Sequence, residues 1–507
     1  MKKSVIILLY FVTLFGVSYG KNFKSQLNGI TGLIKFDFEG EAALSGYTFA
    51  ISPDSEENTY LIQNTDSLPK GTDVTKLKAG FQTINSLVKV KVNGIEQVSG
   101  VTENDFTNPL IYEVYAERGN VKTYKVIVKV AKKPVVTEKY IFFNHGLFAE
   151  NEIQDIVSIF GKQSDKKVAV GIGVIVSVLN ASTTDVVEKI NSQLALASKY
   201  CLPVSIKLDA EVWWEYRSDL WNWWDQSKPG FNPDNKDNVE WTDWTNDSAV
   251  KLGWLNWGRQ IRMVPTPNLM SPRYKEAWKS AMTASVNAIK LWYDELPADK
   301  KYLFGSIVIG WESSIGVTNH FYPNGNGYLN QPEANDPTTG FDISVLPSRG
   351  LQSLGYAAVK TAGIASSGTM TETMQTEVVR RHLEDLSKTV YELGIPREKI
   401  YTHCGGWVKG EILYTAANNQ YSCPGWSFYD HASDPATDLT AMDALSKSDA
   451  PYWGAVEWLL QGNKTEGEWT SALNKTLSGN CRMITIYNWE NVNSNYNAIE
   501  AIRRIDK

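Results

Sequence analysis

The sequence predicts a two-part protein: a small all-β sandwich followed by an α/β barrel of eight strand–helix alternations. Three observations predict it. Apolar and polar residues alternate with period two up to about residue 133. Beyond that point continuous apolar runs alternate with stretches of helical periodicity. Eight such runs can be placed before the chain ends.

The first twenty residues stand outside both parts. Lys2 and Lys3 precede an apolar run from Val5 to Val17, and Ser18, Tyr19 and Gly20 follow it. A membrane span needs about 20 apolar residues. Residues 1–20 are therefore expected to be a secretory signal peptide, placing the mature protein in the periplasm or outside the cell. No cysteine follows the run to carry a lipid, and no later stretch is apolar and long enough to cross a bilayer.

Residues 24–133 read as a β-sandwich accessory domain. Ile34 to Phe38, Val88 to Val92 and Tyr124 to Val130 each alternate apolar and polar, the pattern of antiparallel strands with one solvated face. Asn93-Gly94 and Arg118-Gly119-Asn120 supply turns. The segment FTNPLIYEVYAERGNVKTYKVIVKV resembles the immunoglobulin-like modules that precede catalytic domains in exported Bacteroidetes proteins. Lys132-Lys133-Pro134 is the expected linker.

Residues 138–507 read as a (β/α)8, or TIM, barrel. The candidate strands are 140–143, 168–178, 203–208, 306–310, 399–403, 425–429, 453–456 and 483–487. Most are continuous apolar runs, as in parallel strands covered on both faces. Segments 184–200, 272–296 and 371–393 carry apolar residues at helical spacing. Loops after strands build the active face of such barrels. Two long ones, about 212–270 after the third strand and about 313–370 after the fourth, thus belong to that face. An open doubly wound sheet is the alternative, but no GxGxxG follows the first strand.

Composition narrows the chemistry. The net charge is -6 with both signs interspersed, which argues against a nucleic-acid partner. The four cysteines are too dispersed for a disulfide scaffold; Cys404 and Cys423 are read as free buried thiols ahead of a pair. With no HExxH, no CxxC and five histidines, no zinc site is expected. Aromatics are in excess, with 18 Trp and 24 Tyr. Trp is absent before Trp213, and nine fall between Trp213 and Trp257. Such a cluster reads as a binding surface, with some members holding the insertion together.

Two motifs place acids where strands end. The fourth strand ends SIVIGWESSIG, with Glu312, and the seventh ends YWGAVEWLLQG, with Glu457. Glycoside hydrolysis needs two carboxylates flanking the scissile bond, about 5–5.5 Å apart for retention of configuration. The pair resembles clan A glycoside hydrolases, whose acid/base ends the fourth strand and whose nucleophile ends the seventh. That resemblance implies Glu312 as acid/base and Glu457 as nucleophile in a double displacement on a β-linked oligosaccharide or polysaccharide, a mechanism that requires no cofactor and no catalytic metal; a structural calcium stays open. It also implies Tyr429, in GWSFYD, beside the nucleophile, and Trp489, in ITIYNWEN, under the sugar. Where the clan carries Asn before its acid/base, this chain has Trp311.

Other rim residues compete. Asp209 and Glu211, in SIKLDAEVWWEY, either bind hydroxyls or replace one of the catalytic acids. Glu240 and Asp243 are expected near substrate, and Glu490 at a helix start. His145 in NHGLF and His403 in THCGGW either donate to sugar hydroxyls or are satisfied structurally. Trp407, Trp426, Trp458 and Trp311 are expected to line subsites. Arg259 and Arg262 orient carboxylates, bind an acidic sugar or, the more common role, lock the insertion. The alternative function is a non-catalytic glycan-binding protein on the same scaffold, which needs no paired rim acids. A lyase or esterase lacks support, since no GxSxG occurs and no Lys or metal cluster stands at a strand end.

Overall fold

The computed structural model describes residues 31–44, 46–68, 72–116, 119–130, 137–257, 260–317, 319–336, 352–405 and 410–505. The expected signal peptide and linker, Arg259 and Trp407 lie outside them. Contacts divide the chain into two compact units on either side of the Pro134–Val135 bond. No described helix is long and apolar enough to cross a membrane.

The N-terminal unit is built of β-strands with a 3-10 turn at Ala42–Leu44, around its own core, which includes Phe36, Phe38, Ile62, Tyr112 and Val126. Its main sheet has six strands, accompanied by two two-stranded sheets. The expectation of purely antiparallel pairing is corrected here. Strand Val121–Ile127 runs antiparallel to Leu110–Tyr115 but parallel to Thr59–Asn64, so the sheet is mixed. Period-two alternation reports only which face is buried; it is the same for both directions of pairing. The mixed pairing does not by itself show an immunoglobulin-like sandwich.

The C-terminal unit contains eight parallel strands: β1 (Lys139–His145), β2 (Val168–Ser177), β3 (Val204–Asp209), β4 (Phe304–Ser313), β5 (Ile400–Cys404), β6 (Gly425–Phe428), β7 (Trp453–Trp458) and β8 (Cys481–Tyr487). Their hydrogen-bonded order is β5-β4-β3-β2-β1-β8-β7-β6. The ring closes between its ends through the parallel bridge of Tyr401 with Cys423, where Cys423 N donates to Ile400 O at 2.8 Å. Alternation along each strand separates two cores. Ile141, Phe143, Ile206 and Leu208 pack outward in the cluster shared with the helices. Tyr140, Phe142, Ala169, Val308, Tyr401, Val456 and Met483 form a second cluster drawn from strands and strand ends. On β3 the outward Ile206 and Leu208 leave Ser205, Lys207 and Asp209 on the lumen face, and Ser205 Oγ meets Ser306 Oγ of β4 at 2.7 Å.

Local signals set the helices. The helix α1 (Thr183–Tyr200) starts where Ser182 accepts from Asp185 N at 3.2 Å, and α2 (Pro272–Glu295) starts at Ser271 with Pro in its first turn. A third, α3 (Glu372–Glu392), is capped by Thr371, and α4 (Glu466–Thr476) by a Thr465/Glu468 capping box. Each turns an apolar face, such as Val378, Leu383 and Leu386 of α3, onto the outside of the barrel.

Candidate active site

Both candidate glutamates sit within irregular stretches of their strands. In the β4–β5 ladder Ile309 faces Thr402 and Ser313 faces Cys404, so Gly310, Trp311 and Glu312 together oppose His403. The bulge requires left-handed backbone at two positions, with φ 79° at Gly310 and 52° at Glu312. A Cβ at Gly310 would lie 2.2 Å from Ser313 Oγ, so a larger residue does not fit there. Glu312, which has a Cβ, adopts a conformation that L-residues disfavour, and the surrounding ladder holds it there. In β7 the pairings with both neighbours shift around Val456 and Glu457. Bulges of this kind re-aim side chains at barrel rims.

Glu312 and Glu457 line one cavity of about 260 Å³, together with Trp257, Trp311, Tyr429, Leu459, Gln461 and Tyr487. All the strand residues among them come from the C-terminal ends of β4, β7 and β8. Both glutamates are buried, at 4 % exposure each.

Their partners differ in charge. Glu312 Oε1 accepts from Ser427 Oγ at 2.9 Å, and Oε2 accepts from the indole Nε1 of Trp257 at 2.9 Å. Burial, then the charge of Glu457, raises its pKa from the ordinary 4.5 to about 8. Glu457 Oε1 accepts from Tyr429 Oη at 2.5 Å. Its Oε2 meets the Lys207 ammonium at 2.8 Å and Asn144 Nδ2 at 3.5 Å. Burial beside Glu457 holds the Tyr429 phenol far above its usual range, so this group is a neutral donor.

His403 lies behind Glu312. Its Nε2 is 2.8 Å from Ser427 Oγ, and burial, then the Lys207 charge, pushes its pKa well below 6.5. It is therefore a neutral imidazole that supports Ser427, two bonds removed from the cavity.

The remaining expected residues separate. Trp311 is on the cavity wall, its ring 5.1 Å from that of Trp257. Trp489 is not. It is 2 % exposed and packs on Phe143 in the core, and the aromatic that β8 supplies to the cavity is Tyr487. The short helix Trp489–Val492 turns the later residue inward. Trp458 is fully buried, donates to Ala432 O at 3.0 Å and packs against Trp469. Strand alternation explains this: Glu457 faces the opening, so its neighbour faces the helices. Asp209 is fully buried and accepts from the backbone N of Glu211, Val212 and Trp213, which makes it the cap of the turn after β3. Glu211 accepts from Ser313 Oγ and lies 3.2 Å from His382 Nε2, beneath the β4 bulge. His145 pairs with Glu490 at 2.8 Å, away from the cavity lining. None of Asp209, Glu211, His145, Trp458 or Trp489 lines the cavity.

The Trp-rich insertion is mostly self-supporting. Trp214, Trp221, Trp223 and Trp241 donate to backbone carbonyls within it, and Trp244 donates to Gly368 O. Trp254 donates to Asp336 Oδ2, which also binds Arg262, so Arg262 locks the insertion to the second loop. Glu240 is fully buried and accepts from the backbone N of Gly355, Ala357 and Ala358. From the cluster, Trp257 reaches the cavity, with Trp213 edge-on behind it at 6.3 Å. Among the described residues no group of three or more His, Cys, Asp or Glu is arranged to hold a metal ion, and all four cysteines are free.

Lys207 was not apparent as a functional residue in the sequence. A signal was present: a lysine two residues before the end of a barrel strand, on the side that faces the lumen, where an unpaired ammonium is strongly disfavoured.

Residues 26–128 match the model of a domain of unknown function, the DUF6242 N-terminal domain. No curated protein matches the chain. Among solved structures, a Bacteroides ovatus GH5 xyloglucanase in complex with a heptasaccharide is 10 % identical with a TM-score of 0.35, covering 90 % of this chain and 99 % of that one. The Bacillus subtilis mannanase BCman is 12 % identical with a TM-score of 0.35, covering 73 % and 86 %. A β-mannanase from Thermomonospora fusca is 10 % identical with a TM-score of 0.30, covering 74 % and 82 %.

Proposed function

We propose that the protein is an exported glycoside hydrolase that cleaves a β-linked glycan with retention of configuration. Glu457 is the nucleophile and Glu312 the acid/base. The observation that carries this reading is the contrast between two buried glutamates lining one cavity. One receives neutral donors and a raised pKa; the other receives an ammonium and a phenol. Acid-assisted displacement needs one carboxyl group that gives a proton and one that attacks as the anion.

In the first step a Glu457 oxygen attacks the anomeric carbon while the Glu312 proton passes to the departing oxygen. The charge of Glu312 is then available to take a proton from water, which attacks the same carbon and releases Glu457. Trp311, Trp257 and Tyr487 offer ring faces for a sugar, and Gln461 a polar contact at the edge.

A panel of aryl β-glycosides and β-glycans tests the proposal. Hydrolysis by the wild type is expected, with nuclear magnetic resonance showing the first-formed anomer to match the substrate. Glu457→Gln is expected to lose at least about 1,000-fold in kcat. Equal activity in that variant removes Glu457 from the nucleophile role. Binding of a glycan without hydrolysis in the wild type makes the protein a glycan binder.

A further inference from the structure

The ammonium of Lys207 occupies a place where charge has a consequence. It extends from β3 into the barrel lumen, is 3 % exposed, and meets Glu457 Oε2 at 2.8 Å. Its Nζ also lies 5.6 Å from the centre of the Trp311 ring, so the side chain is held between one carboxylate and the aromatic wall. We propose that Lys207 is a positioning residue. Its ammonium places the one negative charge of the Glu312–Glu457 pair on Glu457 and leaves the proton on Glu312. This rests on the hydrolase reading for its role in turnover, although the charge assignment itself is a property of the folded protein.

The groups facing the pair leave this task to Lys207. From β1 comes Asn144, from β6 and its end Ser427 and Tyr429, and from the insertion Trp257; all are neutral donors. From β5 comes His403, which burial and Lys207 keep uncharged. Tyr487 of β8 lies beside Tyr429, ring to ring at 6.4 Å, and adds no cation. The Lys207 charge also acts on Glu312, lowering its pKa, but more weakly than the Glu457 charge raises it. Two buried carboxyl groups that share a cavity repel when both are ionised, so one proton is retained between them. Neutral donors can serve either protonation state of a carboxyl group. An ammonium in direct contact favours the anion. Contact with Glu457, and not with Glu312, therefore breaks the symmetry of the pair.

The pairing also explains why the lysine is tolerated. Removing either partner leaves an uncompensated charge in the lumen, whereas removing both leaves none. The side chain is buried, and its head has Glu457 as its anionic partner.

The test compares wild type, Lys207→Met and Lys207→Arg, each labelled with carbon-13 at the glutamate carboxyl carbon. The resonances are assigned by Glu312→Gln and Glu457→Gln. In Lys207→Met the Glu457 midpoint is expected to rise by about one to three pH units. In Lys207→Arg, which keeps the charge, it is expected to stay near that of the wild type. An unmoved Glu457 midpoint in Lys207→Met overturns the proposal, as does an equal rise in both variants. Should Lys207→Met fail to fold, Lys207→Met combined with Glu457→Gln is expected to recover thermal stability. Failure of the double variant to recover it counts against the pairing. In kinetics the acidic limb of kcat against pH is expected to move upward with the midpoint, with a smaller change in KM; a fixed limb in an active enzyme also overturns it. If the wild type hydrolyses no glycan, the hydrolase reading fails while the carbon-13 titration still decides the charge assignment.

Discussion

Ser427 stands opposite Glu457 in the β6–β7 ladder, and its hydroxyl donates to Glu312 at 2.9 Å. One residue of β6 thus links the ends of β4 and β7. The bulges put both glutamates at the opening, and Ser427 fixes the orientation of one relative to the strand that carries the other. Register is strongly specified where strand faces are buried, and these strands are buried on both.

Activity is expected to fall on the alkaline side as pH rises through about 8, because Glu312 must hold its proton to assist departure. Glu312→Gln should abolish that limb. The linkage has a stability counterpart. The folded-state pKa lies above the unfolded value of 4.5, so the contribution of Glu312 to stability is present below 4.5 and is lost as pH rises through about 8. Denaturant unfolding at pH 5 and pH 9 is therefore expected to show Glu312→Gln gaining on the wild type at the higher pH.

Trp257→Phe keeps an aromatic ring on the cavity wall and removes the indole donor to Glu312 Oε2. That hydrogen bond lowers the Glu312 pKa. Its loss is expected to move the alkaline limb upward by roughly half to one pH unit, the equivalent of about 1 kcal/mol. A pH–rate profile in which the limb moves down contradicts the assignment.

Tyr429→Phe removes the hydroxyl on Glu457 Oε1 with little change in shape. A decrease of about 100-fold in kcat is expected, comparable with loss of one preorganised donor. The thermal midpoint should change little. A wild-type kcat in this variant would show that Tyr429 does not orient the nucleophile.

Glu240→Gln probes the insertion and not the chemistry. The carboxyl is buried among three backbone amides at the start of the helix Tyr356–Thr361, and burial raises its pKa to about 7. Its stabilising contribution is full below 4.5 and lost as pH rises through about 7. Between pH 5 and pH 8 the wild type is expected to lose stability relative to Glu240→Gln by roughly 2–3 kcal/mol. Urea midpoints measured at the two pH values check this.

The sequence alone determined the barrel and the positions of the paired acids. Eight apolar runs, several of them separated by stretches of helical spacing, admit few other arrangements, because parallel strands must be covered on both faces. Acids at the ends of the fourth and seventh runs follow directly from reading where the runs stop. Tertiary structure decided what those ends do. The bulges at Glu312 and Glu457 depend on how neighbouring strands register, which no single strand encodes. Trp489 and Tyr487 are two residues apart, yet one enters the core and the other the cavity, because a helical turn begins between them. Likewise the indoles near Trp257 look alike in sequence, and their partners, backbone carbonyls for most and Glu312 for Trp257, are set by contacts between distant segments. Lys207 becomes intelligible only beside Glu457, a residue 250 positions away that the closing of the barrel brings within 2.8 Å.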